Sequence, residues 1–411
     1  MPRFDVCVVG GCGHVGLPLA LAFADAGLQV SIHDIDPQKV ARVGRGEMPF
    51  IEPGAEELLQ RVVGTNLTVS TDAVVVSDSR FVVVVIGTPV DEHLNPTFHR
   101  MRRFFKELLP SLVDGQCVIL RSTVYPGTTE KIARLIRDAK RNIRVAFCPE
   151  RVAQGKALQE IRALPQIISA FDEETAALAE GLFRHVTNKI LRLTPLEAEL
   201  TKIFANVWRY IQFATANQFF MIATEHDVDF YTIHDALTRD YPRMAGLPSS
   251  GFAAGPCLFK DTMQLATANR NIFSLGHAAM LINEGLPNFI VDQLKRSHNL
   301  SEMRVGILGM AFKGDSDDPR ESLCYKLRKI LEYEAAQVLC TDAYISDPSF
   351  VTAQALIEQS ELILLGAPHS EYRALPIPEE TPVWDIWNFF GDGGLMPQPR
   401  DASCVVALKR A

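Results

Sequence analysis

Short apolar runs alternate with longer stretches of mixed polarity along the first third of the chain. The apolar runs predict buried strands at residues 4–10, 28–33, 81–86, 116–121 and 144–148. Helical patterns lie between them, beginning with an Ala/Leu-rich segment from Leu17 to Ala26 that Gly27 closes. Strands that are apolar throughout and alternate with helices are typical of a parallel sheet covered on both faces.

The pattern changes in the middle of the chain and then restarts. Leu196 to Glu225 contains no proline or glycine, which predicts one long helix, and shorter helices are predicted at 229–237 and within 261–300. From Arg304 the alternation returns, with strands predicted at 304–309, 337–341, 362–366, 382–384 and 404–408. We expect an α/β fold in which two Rossmann-like doubly wound lobes are joined by a long central helix and a small helical domain.

Length and charge narrow the class of protein. A chain of 411 residues is too long for one hydrophobic core, so we expect domains at 1–195, 196–300 and 301–411. The net charge of -8 argues against nucleic acid as a partner. The sequence has no signal-peptide pattern and no apolar run of ~18 residues, so we expect a cytoplasmic protein with no membrane partner. The eight cysteines form no CxxC pair, so we expect reduced thiols and no metal site.

The first predicted strand leads into the sequence GCGHVG at residues 11–16, and Asp34 follows the second strand. In such a motif Gly11 allows a tight turn, Gly13 lets a pyrophosphate approach the backbone, and Gly16 lets the helix pack on the strand. The anion sits at the helix N-terminus. Asp34 would accept hydrogen bonds from a ribose 2′-hydroxyl, which favours NAD over NADP. The alternative is a glycine-rich turn used only for packing.

Polar side chains follow three of the predicted strands at their carboxyl ends. Thr88 follows one strand, Ser122 and Thr123 follow the next, and Glu150 follows a third. Each of them could instead cap a helix or stabilise a turn. Ligands of parallel sheets bind at this edge, so the shared position predicts a ligand site.

A second stretch that could take part in a reaction runs from Gly251 to Asp261 with the sequence GFAAGPCLFKD. Glycines let a backbone approach a ligand closely, and a thiol becomes a nucleophile when a nearby cation favours its thiolate. Lys260 could supply that charge to Cys257, and Asp261 could hold a water or a proton. The alternative is that Cys257 is a buried apolar residue, as most free cysteines are.

Two further groups could carry chemistry. Lys202 and Asn206 are four residues apart on the long predicted helix and therefore share one face, although a solvated polar face is the alternative. The loop from Lys313 to Ser322 mixes two cations with four acids. It is either an acidic surface loop or a phosphate-binding loop that opens a second nucleotide lobe.

In combination these motifs resemble the UDP-glucose/GDP-mannose dehydrogenase family of nucleotide-sugar 6-dehydrogenases, from Val6 to about Asn388. The resemblance rests on the glycine turn with Asp34, on Glu52-Pro53-Gly54, Gly87-Thr88-Pro89, Ser122-Thr123-Val124, Pro126-Gly127-Thr128, Pro149-Glu150, Lys202 with Asn206, Tyr241-Pro242-Arg243, Cys257 with Lys260-Asp261, and Phe312-Lys313 with Asp318 and Arg320.

The resemblance implies a two-step, four-electron oxidation of a sugar C6 hydroxyl to a carboxylate with NAD. Cys257 is then the nucleophile that captures the aldehyde as a thiohemiacetal, which a second oxidation converts to a thioester. The other catalytic residues that it implies are Lys202 and Asn206 for the oxyanion, Asp261 and Thr123 for positioning water, and Glu150 for hydrolysis.

The resemblance also implies the binding residues and an assembly. The cofactor is expected to contact Gly11, Gly13, Gly16, Asp34, Thr88, Thr123, Lys260 and Arg320. The UDP-sugar is expected to contact Glu150, Arg151, Lys202, Asn206, Arg243, Gly251, Phe252 and Lys313, with Lys313 on the UDP part. Arg243 is expected to reach the sugar site of a partner subunit, because the family typically forms a homodimer through the central helix.

Details of the motifs point to different sugars. Gln154 stands where UDP-glucose dehydrogenases usually carry a glutamate, and the sequence from Glu150 to Lys156 is similar to UDP-N-acetylhexosamine dehydrogenases. Lys260 is instead typical of the UDP-glucose type, and Ala253-Ala254 replaces the usual glycines, which narrows the sugar pocket. We expect a UDP-N-acetylhexosamine (ManNAc or GlcNAc) 6-dehydrogenase, with UDP-glucose 6-dehydrogenase as the alternative.

Two other functions remain open from the sequence. A two-electron hydroxyacid-type dehydrogenase shares the N-terminal lobe and uses a lysine on the following helix, but it needs neither Cys257 nor a second lobe. A non-catalytic dinucleotide-sensing module would bind NAD without turnover.

Overall fold

The structure is a computed structural model that describes residues 2–88, 98–253 and 255–391. The chain divides into two compact units, residues 1–206 with 260–273 and residues 207–259 with 274–411. Pro89, Ala254 and the strand expected at 404–408 lie outside the described residues. The domain limits expected after residues 195 and 300 stay a prediction.

The first unit is built on one eight-stranded sheet in the order β3-β2-β1-β4-β5-β6-β7-β8. Neighbouring strands run parallel except for β6 and β7, which pair antiparallel. The strands are β1 (Phe4–Val9), β2 (Val30–His33), β3 (Leu67–Ser70), β4 (Ser79–Val84), β5 (Cys117–Leu120), β6 (Arg144–Phe147), β7 (Gln166–Ala170) and β8 (Ile190–Leu193).

Helices cover both faces of this sheet, as a parallel sheet requires. Their bounds are α1 (Gly16–Asp25), α2 (Pro37–Gly44), α3 (Ala55–Val62), α4 (Val74–Ser77), α5 (Phe98–Leu108), α6 (Thr128–Asp138), α7 (Ala157–Ala163) and α8 (Glu173–Phe183). The central strand β1 shows the consequence, because Val6, Cys7 and Val8 are all completely buried. Residues on both sides of the strand therefore belong to the core, and the carboxyl ends of the strands remain as the edge where side chains can meet a ligand.

The second unit is built on a four-stranded parallel sheet in the order β10-β9-β11-β12. Its strands are β9 (Arg304–Leu308), β10 (Gln337–Thr341), β11 (Leu362–Leu365) and β12 (Val383–Trp384), and its helices are α10 (Phe230–Thr238), α12 (Ser274–Ser297), α13 (Leu323–Glu334) and α14 (Ala353–Gln359). Phe220, Leu286 and Leu327 join strand residues such as Ile307 in one core, so the helices preceding the sheet are part of its packing.

Two helices contribute residues to both units. They are α9 (Pro195–Glu225), which is the predicted long helix, and α11 (Leu258–Ala268), which begins directly after Cys257. Among the described helices none combines the length and apolarity needed to cross a membrane.

The predicted α/β class with parallel sheets is confirmed. The sequence patterns did not identify β3, β7 and β8. Strand β8 illustrates the reason, because it has four residues at the sheet edge and the exposed Arg192 interrupts its apolar run. Strand β7 is half of an antiparallel pair, which an alternation of strands and helices does not predict.

Candidate active site

The three glycines of the first turn differ in the space around them. A Cβ atom on Gly16 would lie 2.6 Å from the Cα of Gly11, and one on Gly11 would lie 2.7 Å from the carbonyl oxygen of Val8. A Cβ on Gly13 would meet nothing closer than the Gly10 oxygen at 3.9 Å. Gly11 and Gly16 are therefore needed for packing, while the backbone at Gly13 faces open space in which a pyrophosphate fits.

The start of α1 and the end of β2 complete this edge. No side chain caps the N-terminus of α1, and no acidic residue stands in its first turn. Its N–H groups and its dipole are therefore available to an anion. Asp34 accepts backbone hydrogen bonds from Cys12 (3.0 Å) and Asp36 (3.1 Å), which fix the carboxylate at the edge of the turn. These features fit a dinucleotide whose pyrophosphate lies at α1 and whose ribose lies at Asp34.

A continuous chain of polar contacts in the first unit joins five of the predicted site residues. Lys202 donates to Asn206 Oδ1 (3.4 Å), and Asn206 Nδ2 donates to Asp261 Oδ2 (2.6 Å). Lys260 Nζ lies 2.5 Å from the other oxygen of Asp261 and 3.4 Å from Thr88 Oγ1. Asp261 is completely buried, and these partners supply the hydrogen bonds that a buried carboxyl group needs. The structure thus brings together on one polar path residues that are far apart in the sequence.

The polar chain continues to the carboxyl ends of β4 and β5. Thr88 Oγ1 donates to the carbonyl oxygen of Thr123 (2.6 Å), so these two strand ends are held together. Gln264, which the sequence analysis missed, donates to the Thr88 carbonyl oxygen (3.3 Å). Its Oε1 and the Ser122 hydroxyl are buried without a hydrogen-bond partner among the described residues. Such atoms can bond to a ligand at this edge.

Glu199 is a second residue that the sequence analysis did not assign. Its carboxylate accepts hydrogen bonds from the Gly127 N–H (2.6 Å), the Thr129 N–H (2.8 Å) and the Thr129 hydroxyl (2.6 Å). Burial raises the pKa of the Glu199 carboxyl, and the hydrogen bonds from Thr129 and Gly127 oppose that rise. Glu199 therefore caps α6 from α9 and fixes the loop after β5 relative to the helix that carries Lys202.

Glu150 is already engaged within the first unit. One of its oxygens pairs with the buried guanidinium of Arg121, whose Nε lies 2.9 Å away, and the other accepts the N–H groups of Arg151 (2.7 Å) and Val152 (3.0 Å). The Arg151 side chain donates to the carbonyl oxygen of Pro165. Glu150 and Arg151 therefore both stabilise the loop after β6.

Cys257 lies in the second unit and is exposed, whereas the six other cysteines among the described residues are buried. It directly precedes α11, and a helix dipole favours an anion at that end. Arg320 is held by two hydrogen bonds to Asp318 (2.8 and 2.6 Å). These bonds raise the pKa of the Arg320 guanidinium, and the nearby Cys257 adds to the rise. An exposed thiol with a cation nearby is the setting of a reactive cysteine rather than of a core residue.

The other predicted substrate residues of the second unit occupy different surroundings. Gly251 and Phe252 are buried beside Trp387, whose ring lies 6.2 Å from that of Phe252. Lys313 stands next to Phe312, with its Nζ 5.8 Å from the ring centre. Arg243 is exposed, and its guanidinium donates to the Tyr241 hydroxyl (3.4 Å) and lies 5.9 Å from the centre of the Tyr241 ring.

Fold and site together are those of an NAD-dependent oxidoreductase. The chain belongs to the UDP-glucose/GDP-mannose dehydrogenase family. Sequence profiles of that family match its NAD binding domain at residues 4–187, its central domain at residues 196–285 and its UDP binding domain at residues 306–392.

Individual relatives are similar over nearly their whole length. A UDP-N-acetyl-D-mannosamine dehydrogenase of Pyrococcus horikoshii is 30% identical over 378 residues, covering 89% of this chain and 90% of that protein. The solved structure of UDP-D-ManNAc dehydrogenase from Pyrococcus horikoshii has a TM-score of 0.84 at 28% identity and covers 90% of this chain and 91% of that chain. The UDP-glucose dehydrogenase from Pyrobaculum islandicum has a TM-score of 0.81 at 26% identity and covers 93% and 98% of the two chains.

Proposed function

We propose that this protein oxidises the C6 hydroxyl of a UDP-N-acetylhexosamine, of the ManNAc or GlcNAc type, to a carboxylate in two steps. The observation that carries the proposal is the polar chain from Lys202 through Asn206 and Asp261 to Lys260, on the helix that directly follows Cys257. A two-electron dehydrogenase needs a base, but it has no use for an exposed thiol at the start of that helix.

Cys257 is the residue that makes four-electron oxidation possible. Its thiolate adds to the carbon of the C6 aldehyde and forms a thiohemiacetal. Loss of a hydride from that carbon leaves a thioester on Cys257, and water then cleaves the thioester to release the carboxylate and the free thiol. Bound NAD supplies the hydride acceptor in both oxidations. The covalent bond to sulfur keeps the half-oxidised sugar from leaving.

The polar chain provides the charges that this chemistry requires. Lys202 stabilises the negative charge on the reacting oxygen, with Asn206 beside it. Asp261 and Thr123 position the water for thioester hydrolysis. We assign Glu150 to this step only through the loop that it holds, because Arg121 and two backbone N–H groups already occupy both of its oxygens.

The remaining residues bind the two ligands. Gly13, Asp34 and Thr88 lie along the cofactor edge of the first unit, and we assign Lys260 and Arg320 to the reacting end of the cofactor. We assign Lys313 to the UDP part of the substrate, and Arg151, Gly251 and Phe252 to the sugar side.

The sugar is the finer part of the proposal. Three of the named relatives are UDP-N-acetyl-D-mannosamine dehydrogenases, and Gln154 in place of a glutamate agrees with that group. Lys260 favours the alternative, UDP-glucose, because it is typical of that type, and a UDP-glucose dehydrogenase has a similar structure.

A cytoplasmic homodimer is also part of the proposal. Trp208, Phe219 and Ile222 are exposed by 60%, 40% and 45% and follow one another at helical spacings of eleven and three residues on α9. An exposed apolar stripe of this kind supports burial against a second copy of the chain. Arg243 would then act in the site of the partner.

The test measures NADH formed per sugar consumed, with UDP-ManNAc, UDP-GlcNAc, UDP-GalNAc, UDP-glucose and GDP-mannose as separate substrates. We expect two NADH for each uronic acid with a UDP-N-acetylhexosamine. Cys257→Ala should abolish uronic acid formation. A ratio of one with an aldehyde or ketone product in the wild-type enzyme would overturn the proposal, and turnover with UDP-glucose alone would shift it to the alternative sugar.

A further inference from the structure

Asn217 holds the backbone of Gly251 from two sides. The Gly251 N–H donates to Asn217 Oδ1 (2.9 Å), and Asn217 Nδ2 donates to the Gly251 carbonyl oxygen (3.0 Å). This two-point contact reproduces the pairing that one strand gives another, at a place where the chain forms no strand. A side chain on α9 therefore satisfies both polar groups of one buried loop residue.

A second asparagine fixes the first. The other hydrogen of Asn217 Nδ2 reaches Asn283 Oδ1 on α12 (2.9 Å), and Asn283 Nδ2 donates to the Tyr210 carbonyl oxygen (3.1 Å). Both asparagines are completely buried. Each of these hydrogen bonds requires one particular orientation of the amide group. Only one arrangement of the two side chains therefore forms all of them.

The opposite side of Gly251 is closed by an aromatic ring. Gly251 has φ +151°, and a Cβ atom there would lie 2.2 Å from the ring of Trp387. Trp387 is itself held, because its indole N–H donates to the carbonyl oxygens of Leu365 and Gly366 (3.2 Å each) at the end of β11. Gly251 is therefore clamped between Asn217 and Trp387, and only glycine fits there.

Neighbouring residues anchor the same loop at its two ends. Ser250 Oγ donates to the Ile386 carbonyl oxygen (2.6 Å), and the Gly255 N–H donates to the Glu321 carbonyl oxygen (3.1 Å). Both anchors belong to segments of the second lobe. Asn217 differs from them because it ties the loop to the helices that precede that lobe.

We propose that Asn217, braced by Asn283, is a positioning residue that sets the loop leading to Cys257 in the place where the thiol captures the aldehyde. The inference rests on the proposed function, since it assigns Asn217 to the capture step. Asn217 touches no reacting atom in this proposal. It acts by fixing the backbone of Gly251, which lies six residues before Cys257 in the chain.

Asn217→Asp tests the proposal with almost no change of shape. The variant keeps the acceptor for the Gly251 N–H but turns the donating amide into an oxygen that faces two other oxygens, of Gly251 and Asn283. We expect kcat to fall by about 100-fold. We also expect NADH per sugar to fall from two towards one, with free aldehyde trapped by hydroxylamine. The affinity for NAD should not change, because Gly13, Asp34 and Thr88, which we assign to the cofactor, belong to the first unit and Asn217 contacts none of them.

Gln218→Glu is the matched control, because it makes the same amide-to-acid change on the next residue of α9. Asn283→Ala is the second variant, and it removes only the brace. It should shift the NADH ratio in the same direction but less, which keeps the test decisive if Asn217→Asp does not fold.

The outcomes separate the inference from the proposed function. Folded Asn217 and Asn283 variants that keep two NADH per sugar and a kcat within about threefold of Gln218→Glu would overturn the positioning role. A wild-type enzyme that forms no NADH with any UDP-sugar, or only one per sugar, would overturn the proposed function and this inference with it.

Discussion

The glycine turn after β1 and the loop after β9 begin in the same way. Strands β1 and β9 are each followed by a glycine of positive φ, Gly10 at +76° and Gly309 at +94°. Each neighbouring strand is followed by an aspartate that accepts N–H bonds from that loop. Asp34 takes one from Cys12 (3.0 Å), and Asp342 takes two, from Met310 (2.6 Å) and Ala311 (3.0 Å).

The two aspartates differ in how many further hydrogen bonds their carboxylates accept within the protein. Asp34 has one further backbone contact and is only half-buried. The Asp342 side chain is completely buried and also accepts hydrogen bonds from the Tyr344 and Ile345 N–H groups and from His369 Nε2 (3.1 Å). The Asp34 carboxylate can accept further hydrogen bonds from a ribose, while the Asp342 carboxylate is occupied by hydrogen bonds within the second unit.

The two helices that follow differ at their first turn. Helix α1 begins at Gly16 and has no side-chain cap. Helix α13 begins fifteen residues after β9 ends, at Leu323, and Ser322 caps it by accepting the Cys324 N–H (3.3 Å). The Ser322 hydroxyl also donates to the Ala311 carbonyl oxygen (3.1 Å), so the cap is tied to the loop.

The comparison teaches that one strand-loop-helix plan can serve two purposes. In the first unit the helix terminus and the acid are left for a dinucleotide. In the second unit the same groups stabilise the loop from 309 to 322, which is why we assign the UDP part of the substrate to a side chain of that loop, Lys313. Three predictions test this difference.

The largest expected effect is on stability. Asp342→Ala removes an acceptor of five hydrogen bonds and leaves buried His369 and four partly buried backbone N–H groups without it, so we expect a loss of about 4 kcal/mol in unfolding free energy. All three tryptophans, Trp208, Trp384 and Trp387, lie in the second unit, so their fluorescence during urea unfolding measures the effect.

Asp34→Ala is the matched variant in the first unit. It should cost about 1 kcal/mol of stability, measured by far-ultraviolet circular dichroism, and should weaken NAD binding. Equal losses of stability in the two variants would contradict the comparison.

The next effect is on cofactor affinity. Gly13→Ala places a methyl group in the open space at the first turn, where the pyrophosphate has to approach the backbone. We expect NAD to bind about 100-fold more weakly, or about 2.7 kcal/mol, with the unfolding midpoint nearly unchanged. Titration calorimetry with NAD measures this.

Gly181→Ala is the control for this glycine. It lies within α8 and its Cβ would meet nothing within 4 Å, so NAD affinity should stay at the wild-type value. Tight NAD binding by Gly13→Ala would show that the turn serves packing only.

Much of the fold was predictable because its signals are local. A largely apolar strand, a glycine turn and an acid after the next strand identify β1, α1 and β2 within a few dozen residues, and the restart at Arg304 identified the second lobe. The edge strand β8 was not predictable, because Arg192 breaks an apolar run that is only four residues long.

The candidate site was predictable only in part, for the same physical reason. Lys202 and Asn206 share a helix face, so their spacing carries the information. Glu199 bonds to residues 70 and 72 positions away, and Asn217 bonds to Asn283 across 66 positions. Such partners are chosen by packing, and no local pattern marks them.

The smallest effect is a pH dependence that belongs to Asp342. Burial alone would raise the pKa of its carboxyl, but hydrogen bonds from His369 and from backbone N–H groups outweigh burial and lower the pKa below 3.8. A carboxyl whose folded pKa is depressed contributes stability that is complete above the unfolded-state pKa and is lost as the pH falls from there through the folded pKa.

The stability difference between wild type and Asp342→Asn should therefore be constant from pH 7 to about pH 5. It should narrow as the pH falls below about 4, because the unfolded chain then takes up a proton that the folded carboxyl, kept ionised by its hydrogen bonds, does not. Urea unfolding followed by tryptophan fluorescence at each pH measures this stability difference. Asp292→Asn, on the exposed side of α12, is the control. A difference that widens in acid would mean that burial, not the hydrogen bonds, decides the charge of Asp342, and the two lobes would then differ less than their geometry indicates.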